Sequence, residues 1–440
     1  MKIIRPMVTL LIAFLAAICL APTALGFCGF YVAKADTKLY NKASEVIIAR
    51  EGDRTILTMA NDYQGNVKDF ALVVPVPVLL QQEQVRVGDP KIIQRLDAFS
   101  APRLVEYFDP DPCGDGDLSG GFGTRGGAPM AASPARERRE QSALGVTVEA
   151  RFTVGEYDIL ILSARESNGL ETWLKTNGYR IPPGGSQLLQ PYIRQNMKFF
   201  VAKVNLSEFA KSGSKFLRPL QMAYESPRFM LPIRLGTINA TTEQDLIIYL
   251  LSPKGQTEIT NYRTVKIPSN AQIPPFVKNE FGDFYKAMFQ TAYTREGKNI
   301  AFIEYAWDMG GCDPCAAEPL NPEELRQAGV FWLTPGSGTN AFITRLHVRY
   351  TRDKFPEDLM FQETANRQFF QGRYILRHPF SGEIKCEAGQ GYQRLLAERF
   401  EREAQTLAQL TGWNLQEIRQ KMPAVASERQ PNPFWRNIWP

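Results

Sequence analysis

Runs of apolar residues along the chain predict both strands and helices. Residues with high β-propensity dominate Ser44–Arg50 and Arg54–Ala60, and the glycine-containing stretch between them is typical of a hairpin turn. Phe70–Val78 is a nearly continuous apolar run, but Pro75 and Pro77 within it lack the amide hydrogen that a sheet ladder uses. We therefore expect the C-terminal end of this strand at a sheet edge or outside the ladder.

Further strands and helices follow without a regular alternation. Strands are predicted at Val146–Val154, Asp158–Leu162, Lys198–Leu206, Phe216–Tyr224, Phe229–Ile233, Asp245–Leu251, Glu258–Ile267, Ile300–Trp307, Val330–Leu333, Ala341–Thr351 and Arg373–Leu376. Helical spacing of apolar residues occurs at Pro90–Ala98, Asn168–Gly178, Ser186–Asn196, Phe276–Arg295, Gln390–Leu410 and Asn414–Met422. Because regular βα units are missing, the pattern predicts an α+β fold with mixed or antiparallel sheets, interspersed helices and a C-terminal helical segment.

Composition divides the chain into five segments. They are a signal peptide at 1–26, a β-rich part at 27–108, a Gly/Pro/Ala-rich flexible linker at 109–143, the main α+β region at 144–422 and a Pro-rich tail at 423–440. The linker has no periodic apolar face, so we expect Asp115–Arg139 to be mobile and dispensable for folding. Gly121–Gly126 matches a GxGxxG pattern, but no strand precedes it and no helical pattern follows, so we expect no nucleotide site there.

The first 26 residues have the order of a secretory leader. Lys2 and Arg5 precede an apolar run from Met7 to Ala21, and small residues lead up to Gly26. A run of roughly 15 residues is short for a membrane-spanning helix, which needs about 20. We expect cleavage near Phe27 and export through the inner membrane to the periplasm or beyond; an uncleaved membrane anchor is the alternative.

Composition also narrows the function classes. Hydrophobic residues make up 44% of the chain and aromatic residues 11%, enough for packed cores. Lys and Arg total 51 against 46 Asp and Glu, and this small excess gives no reason to propose a nucleic acid partner. Hydrolase, kinase and phosphate-loop motifs are missing, and His347 and His378 are the only histidines. We expect no cofactor, and the partner is an unknown envelope or extracellular ligand.

Export makes disulfides the ordinary fate of the cysteines. Of the six cysteines, Cys19 lies in the leader, and the others are Cys28, Cys113, Cys312, Cys315 and Cys386. Their number is odd, so at most two bridges form within one chain and at least one thiol is left over. The sequence does not fix which cysteines pair.

Cys312-Asp-Pro-Cys315 is the sharpest candidate for chemistry. Two cysteines separated by two residues can close a reversible disulfide, and the proline before the second is similar to a thioredoxin active site. The helix that should begin around such a motif is missing, because Pro319 interrupts the following residues. We therefore predict a structural disulfide, with a thiol-disulfide oxidoreductase as the alternative.

A zinc site is a further alternative by ligand type. Cys312, Cys315, Cys386 and His378 would supply sulfur and imidazole. The spacing between His378 and Cys386 lies outside the common zinc-finger patterns, and oxidation competes with thiolate ligation outside the cell. We predict no metal.

Three basic side chains share one face of a predicted strand. Arg345, His347 and Arg349 alternate with mostly apolar residues, so they point to the same side of the sheet. Such a face can hold a carboxylate or phosphate, because Arg presents planar donors to anionic oxygens. The ordinary alternative is a solvated or salt-bridged sheet face.

Several local patterns resemble an exported bacterial family known as domain of unknown function 2330. They are Cys28-Gly-Phe-Tyr-Val32, Phe70-Ala-Leu-Val-Val-Pro-Val-Pro77, Trp173-Leu-Lys-Thr-Asn-Gly-Tyr179, Leu231-Pro-Ile-Arg-Leu-Gly236 and Cys312-Asp-Pro-Cys315. The resemblance spans most of the chain and implies no activity, so it transfers no catalytic residues. The sequence as a whole predicts a non-enzymatic envelope or extracellular binding or structural module stabilised by disulfides.

Overall fold

The computed structural model describes residues 30–33, 40–64, 70–113, 145–177, 184–212, 217–238 and 243–423, except 314, 316, 335 and 337. The predicted leader, Cys28, Asp115–Arg139 and residues 424–440 lie outside the described residues. Within the described part of the chain, we find no helix whose length and hydropathy would let it cross a membrane.

The strands are numbered in chain order. They are β1 Phe30–Ala33, β2 Tyr40–Glu51, β3 Arg54–Gln64, β4 Phe70–Val76, β5 Val85–Val87, β6 Arg103–Phe108, β7 Val146–Val154, β8 Tyr157–Ala164, β9 Lys198–Val204, β10 Leu220–Glu225, β11 Met230–Leu231, β12 Gln244–Ser252, β13 Thr257–Ile259, β14 Arg263–Lys266, β15 Ala271–Ile273, β16 Ile300–Asp308, β17 Phe342–Tyr350, β18 Leu359–Glu363, β19 Phe370–Gln371 and β20 Arg373–His378.

Eight α-helices lie among the described residues. They are α1 Pro90–Ser100, α2 Ser167–Thr176, α3 Gly185–Arg194, α4 Leu206–Ser212, α5 Phe281–Arg295, α6 Pro322–Gln327, α7 Glu387–Thr411 and α8 Leu415–Lys421. Strands in mixed and antiparallel sheets, interspersed helices and the C-terminal helix α7 confirm the predicted α+β class.

The chain forms two compact units. Unit 1 consists of Met1–Ser100, Gly126–Val265 and Lys298–Phe369, and unit 2 of Ala101–Arg125, Lys266–Gly297 and Phe370–Pro440. Each unit therefore combines segments that are distant in sequence. The five-segment division made from composition stays a prediction.

Unit 1 contains two large sheets and a small antiparallel sheet of the order β11-β18-β13. The first has the order β1-β4-β9-β8-β7, and all its neighbours pair antiparallel. The strands of the second follow the order β14-β16-β17-β12-β2-β3-β10-β5. In this larger sheet β12 pairs parallel with β2 and antiparallel with β17, which makes the sheet mixed.

Helix α1 covers part of the larger sheet. Its apolar residues recur at helical spacing and join a buried cluster that includes Tyr249 of β12 and Tyr305 of β16. The ring of Phe99 meets that of Tyr305 edge-on, with the centroids 5.4 Å apart. This packing brings the C-terminal end of α1, with Asp97 and Ser100, over the sheet.

Strand β4 lies between β1 and β9, but in the part of the chain that the structure describes its proline-containing end pairs with β9 alone. β1 pairs with Phe70–Val73 alone, whereas β9 pairs onward through Pro75 to Val76. The prediction concerned the C-terminal end of the strand, and it is confirmed there, because among the described residues β4 has a partner on only one side after Val73. The missing amide of Pro75 is tolerated because β1 does not extend that far.

Two strand predictions need correction. Val330–Leu333 is irregular, because the Val330 amide donates to the Leu325 carbonyl at 2.9 Å and closes the end of α6. The run is apolar because Val330 and Leu333 are buried in the cluster beneath α1. Glu258–Ile267 is divided into the two short strands β13 and β14.

Unit 2 combines a small sheet with three helices. Its sheet has the order β15-β20-β6, and both pairings are parallel. Helices α5 and α8 pack against α7. Gly412 ends α7 with a positive φ of 75°, and the Asn414 side chain caps α8, as the stop and start signals in the sequence indicate.

Candidate functional site

The three predicted basic residues of β17 lie together on the face that α1 covers. Arg345 donates from Nη1 to Asp97 Oδ1 of α1 at 2.6 Å, which identifies this face. β16 and β12 flank β17 on either side. These two strands and α1 contribute the acidic groups that the basic side chains meet.

Glu304 lies on this face at a β-bulge. The register between β16 and β17 shifts between Ile303 and Tyr305, which leaves Glu304 as the extra residue. Its carboxylate accepts hydrogen bonds from Arg345 Nε at 2.6 Å and from His347 at 2.7 Å, and the side chain is only 1% exposed. The bulge thus inserts a buried carboxylate between two cations.

His347 is held between two carboxylates. Its Nδ1 lies 2.7 Å from Glu304 Oε1, and its Nε2 lies 3.1 Å from Asp245 Oδ1. Burial lowers the pKa of His347, but the charges of Glu304 and Asp245 and their hydrogen bonds outweigh it, so the pKa lies above 6.5. With both nitrogens donating, the imidazolium has no lone pair for general-base chemistry.

Asp245 also binds Arg349. Arg349 Nε and Nη2 donate to its two oxygens at 2.7 and 2.8 Å, a bidentate arrangement. Burial raises the pKa of Asp245, but hydrogen bonds from His347 and Arg349 dominate and hold that pKa well below its ordinary value. Both the Asp245 and Arg349 side chains are 18% exposed, so this end of the network reaches solvent.

We call the connected set of six side chains the charged row. Its members are Asp97, Arg345, Glu304, His347, Asp245 and Arg349. Three carboxylates face two guanidiniums and one imidazole, so the formal charges balance only when His347 is protonated. Asp97, 48% exposed, marks the second end that meets solvent.

The structure confirms that the basic residues share a face and supplies partners that the sequence did not reveal. Glu304, Asp245 and Asp97 were missed because they come from other elements. A signal existed for Glu304, which is a lone acid in the otherwise apolar Ile300–Trp307 run. Anion binding by this face stays a prediction, and an incoming anion would have to compete with these carboxylates.

Cys312 and Cys315 are bonded to each other, with their Cα atoms 5.0 Å apart. Cys315 is exposed, whereas Cys312 is half-buried and packs, as Trp307 and Trp332 do, against the buried cluster beneath α1. The pair lies in the loop between β16 and α6. The next helix begins only at Pro322, where Asn321 caps it, so the described residues after the pair lack the helix of a thioredoxin-like site.

Cys113 and Cys386 form the second bridge, with their Cα atoms 5.8 Å apart across 273 positions of sequence. Cys386 is the N-cap of α7, and Cys113 follows β6, so the bond joins two segments of unit 2.

The zinc alternative is wrong, because all three of its cysteines are bonded to other cysteines. His378 instead contacts Glu106 at 2.8 Å and stacks on Phe108. No group of three or more metal-binding side chains occurs in the part of the chain that the structure describes.

The Leu231–Gly236 motif is fixed by a separate buried ion pair. Arg234 donates from Nε and Nη2 to Asp358 Oδ2 at 3.1 and 2.8 Å, and the Tyr192 hydroxyl donates to Oδ1 at 2.7 Å. Asp358 is thereby satisfied from two directions and holds the motif against α3. Arg234 of the motif therefore has a structural role, because its guanidinium is bound to Asp358.

Comparison with known proteins gives one match. The model of the family described as an uncharacterized protein conserved in bacteria, domain of unknown function 2330, matches residues 22–362. This range contains the whole charged row and the Cys312–Cys315 bridge. No curated protein and no solved structure matches the chain.

Proposed function

We propose that this chain, which belongs to the domain of unknown function 2330 family of bacterial proteins, is an exported, non-enzymatic module of the envelope or extracellular space. Its main support is the Cys113–Cys386 pair. Stable disulfides between distant parts of a chain are typical of oxidising compartments and rare in the bacterial cytosol. The order of charged, apolar and small residues in the first 26 positions supports the same compartment.

The hydrogen bonds within the charged row favour a binding or structural role for the protein over catalysis. His347, whose residue type most often performs acid-base chemistry near neutral pH, has both nitrogens paired with carboxylates. Arg345 and Arg349 likewise bind carboxylates of the same chain. A general base or nucleophile needs an available lone pair and access to substrate, and these side chains offer neither.

The test is a non-reducing peptide map of the protein isolated from its bacterial host, with free thiols alkylated before digestion. We expect a Cys113–Cys386 peptide, a closed Cys312–Cys315 peptide and a mature N-terminus within a few residues of Phe27. The same map of protein retained in the cytosol by deletion of residues 2–26 is the control, and we expect its thiols to be alkylated. Retention of Met7–Ala21, or free Cys113 and Cys386 in the native protein, would contradict the proposal.

A thiol-disulfide oxidoreductase is the second candidate, favoured by the exposure of Cys315 in its loop. In that case a thiolate of the reduced pair would attack a substrate disulfide, and the second cysteine would release the mixed disulfide. The assay is reduction of a model protein disulfide, with Cys312→Ser as the inactive variant and Cys113→Ser/Cys386→Ser as the matched control. We expect no activity above the glutathione background, and turnover lost only in Cys312→Ser would replace our proposal.

A further inference from the structure

A second buried charge cluster belongs to unit 2 and shares no residue with the charged row. Asp109 follows the end of β6, while Arg399 and Glu403 lie one turn apart on α7. Arg377 of β20 and Tyr392 of α7 complete the group. The same two segments, the one after β6 and the beginning of α7, are joined by the Cys113–Cys386 bond.

Asp109 is fully partnered. Its Oδ2 accepts from the Tyr392 hydroxyl and from Arg399 Nη1, both at 2.7 Å, and Oδ1 lies 3.4 Å from Arg377 Nη1. Burial raises the pKa of Asp109, but the hydrogen bonds from Tyr392 and Arg399 outweigh it and lower that pKa. Asp109 therefore holds Arg399 as a carboxylate throughout the neutral range.

Glu403 lacks such partners. Its side chain is 1% exposed, and neither carboxyl oxygen has a hydrogen-bond partner among the described residues. Its closest cationic contact is Arg399 Nε at 3.4 Å, too poorly placed to count as a hydrogen bond. Burial raises the pKa of Glu403 to about 7.

Four charged groups act on Glu403 from the elements around it. Arg399 and Arg402 lie on α7 and Arg377 on β20, and all three favour the ionised carboxylate. Asp109, after β6, opposes ionisation because it is a second buried anion near the same guanidinium. The two acids thus compete for Arg399.

We propose that Asp109, Arg399 and Glu403 form a proton-operated clasp between α7 and the segment after β6. When Glu403 is protonated, Arg399 stays on Asp109 and the clasp is closed. When Glu403 releases its proton to solvent, the new carboxylate must gain water or draw Arg399 away from Asp109, because a buried charge without partners is unfavourable. Either change loosens the contact between α7 and the segment after β6.

The Cys113–Cys386 bond makes this opening local. It keeps the two segments joined whether the clasp is closed or open, so opening need not unfold unit 2. The sign of the pH effect follows from the raised pKa. The stabilisation from protonated Glu403 is fully present below the ordinary carboxyl pKa and is lost as the pH rises through about 7.

The test is hydrogen exchange of the full chain with both disulfides formed, at pH 6 and pH 8 and corrected for intrinsic rates. We expect peptides from α7 and from Arg103–Cys113 to lose protection on the order of tenfold between the two values. Glu403→Gln should remove that difference. Glu398→Gln, on the same helix with its side chain 65% exposed, is the matched control and should keep it.

A second variant guards against a folding defect in Glu403→Gln. Asp109→Asn removes both the competing anion and the acid that holds Arg399, so it should lower the pKa of Glu403 and abolish the step in protection between pH 6 and pH 8. Titration of ¹³C-labelled glutamate carboxyls in the native chain gives an independent reading. An unchanged pH step in Glu403→Gln, or a Glu403 carboxyl that titrates with the exposed glutamates, would overturn the proposal.

Discussion

The Glu304 carboxylate contacts His347 from a β-bulge, with Oε1 2.7 Å from Nδ1 of the imidazole. Phe302 pairs with His347 and Ile303 with Leu346, and pairing resumes with Tyr305 opposite Arg345, so Glu304 is the unpaired residue between them. As the extra residue of the bulge, Glu304 places its carboxylate beside Arg345 and His347. The stability of unit 1 should therefore depend on this one side chain.

Replacing Glu304 with alanine should destabilise unit 1 by about 3–5 kcal/mol, because Arg345 and His347 would lose a shared buried carboxylate. Urea unfolding measures the change. Glu243→Ala is the control, since its ion pair with Lys298 is about one third exposed and should contribute less than about 1 kcal/mol. Equal losses in the two variants would contradict the special position of Glu304.

His347 should make unit 1 less stable as the pH rises above neutrality. Its folded pKa lies above 6.5, so its contribution is fully present below pH 6.5 and is lost as the pH passes the raised value. Hydrogen exchange of β16 and β17 between pH 6 and 9 should show this decline, and His347→Gln should flatten it. The clasp variants change residues of unit 2 only, so they should leave the exchange of these strands unchanged and provide the control.

Local signals predicted much of the secondary structure. The hairpin of β2 and β3 turns at Gly52, which has a φ of 59°, and Gly412 ends α7 in the same left-handed region. Such stops depend on the backbone freedom of one residue and can be read from the sequence. The α+β class followed from the irregular order of these elements.

The candidate site was only partly predictable, because its acidic members depend on register and tertiary packing. Strand alternation placed Arg345, His347 and Arg349 on one face. Nothing local reveals that β16 bulges at Glu304 or that α1 places Asp97 above Arg345. The Cys113–Cys386 pairing likewise required the fold, since 273 positions separate its members.

The two disulfides should differ in their contribution to stability. Replacing both Cys113 and Cys386 with serine should lower the free energy of unfolding of unit 2 by about 2–4 kcal/mol, because the bond restricts distant segments of the unfolded chain. Replacing Cys312 and Cys315 should cost less, since that bond closes a loop of very few residues. Urea unfolding without reductant measures the free energy of unfolding of both variants. A larger decrease when Cys312 and Cys315 are replaced would contradict the prediction that Cys113–Cys386 contributes more.

Gly329→Ala should destabilise unit 1 by about 1–3 kcal/mol for two reasons. Gly329 has a φ of 103°, which side-chain-bearing residues avoid, and an added Cβ would lie 2.7 Å from Cγ2 of the Ile56 side chain. Gly311→Ala is the control, because its Cβ would meet nothing within 4 Å and its φ is not in that range. Thermal unfolding of the two variants measures the difference. Equal midpoints would show that Ile56 moves aside and that the turn after α6 accepts alanine.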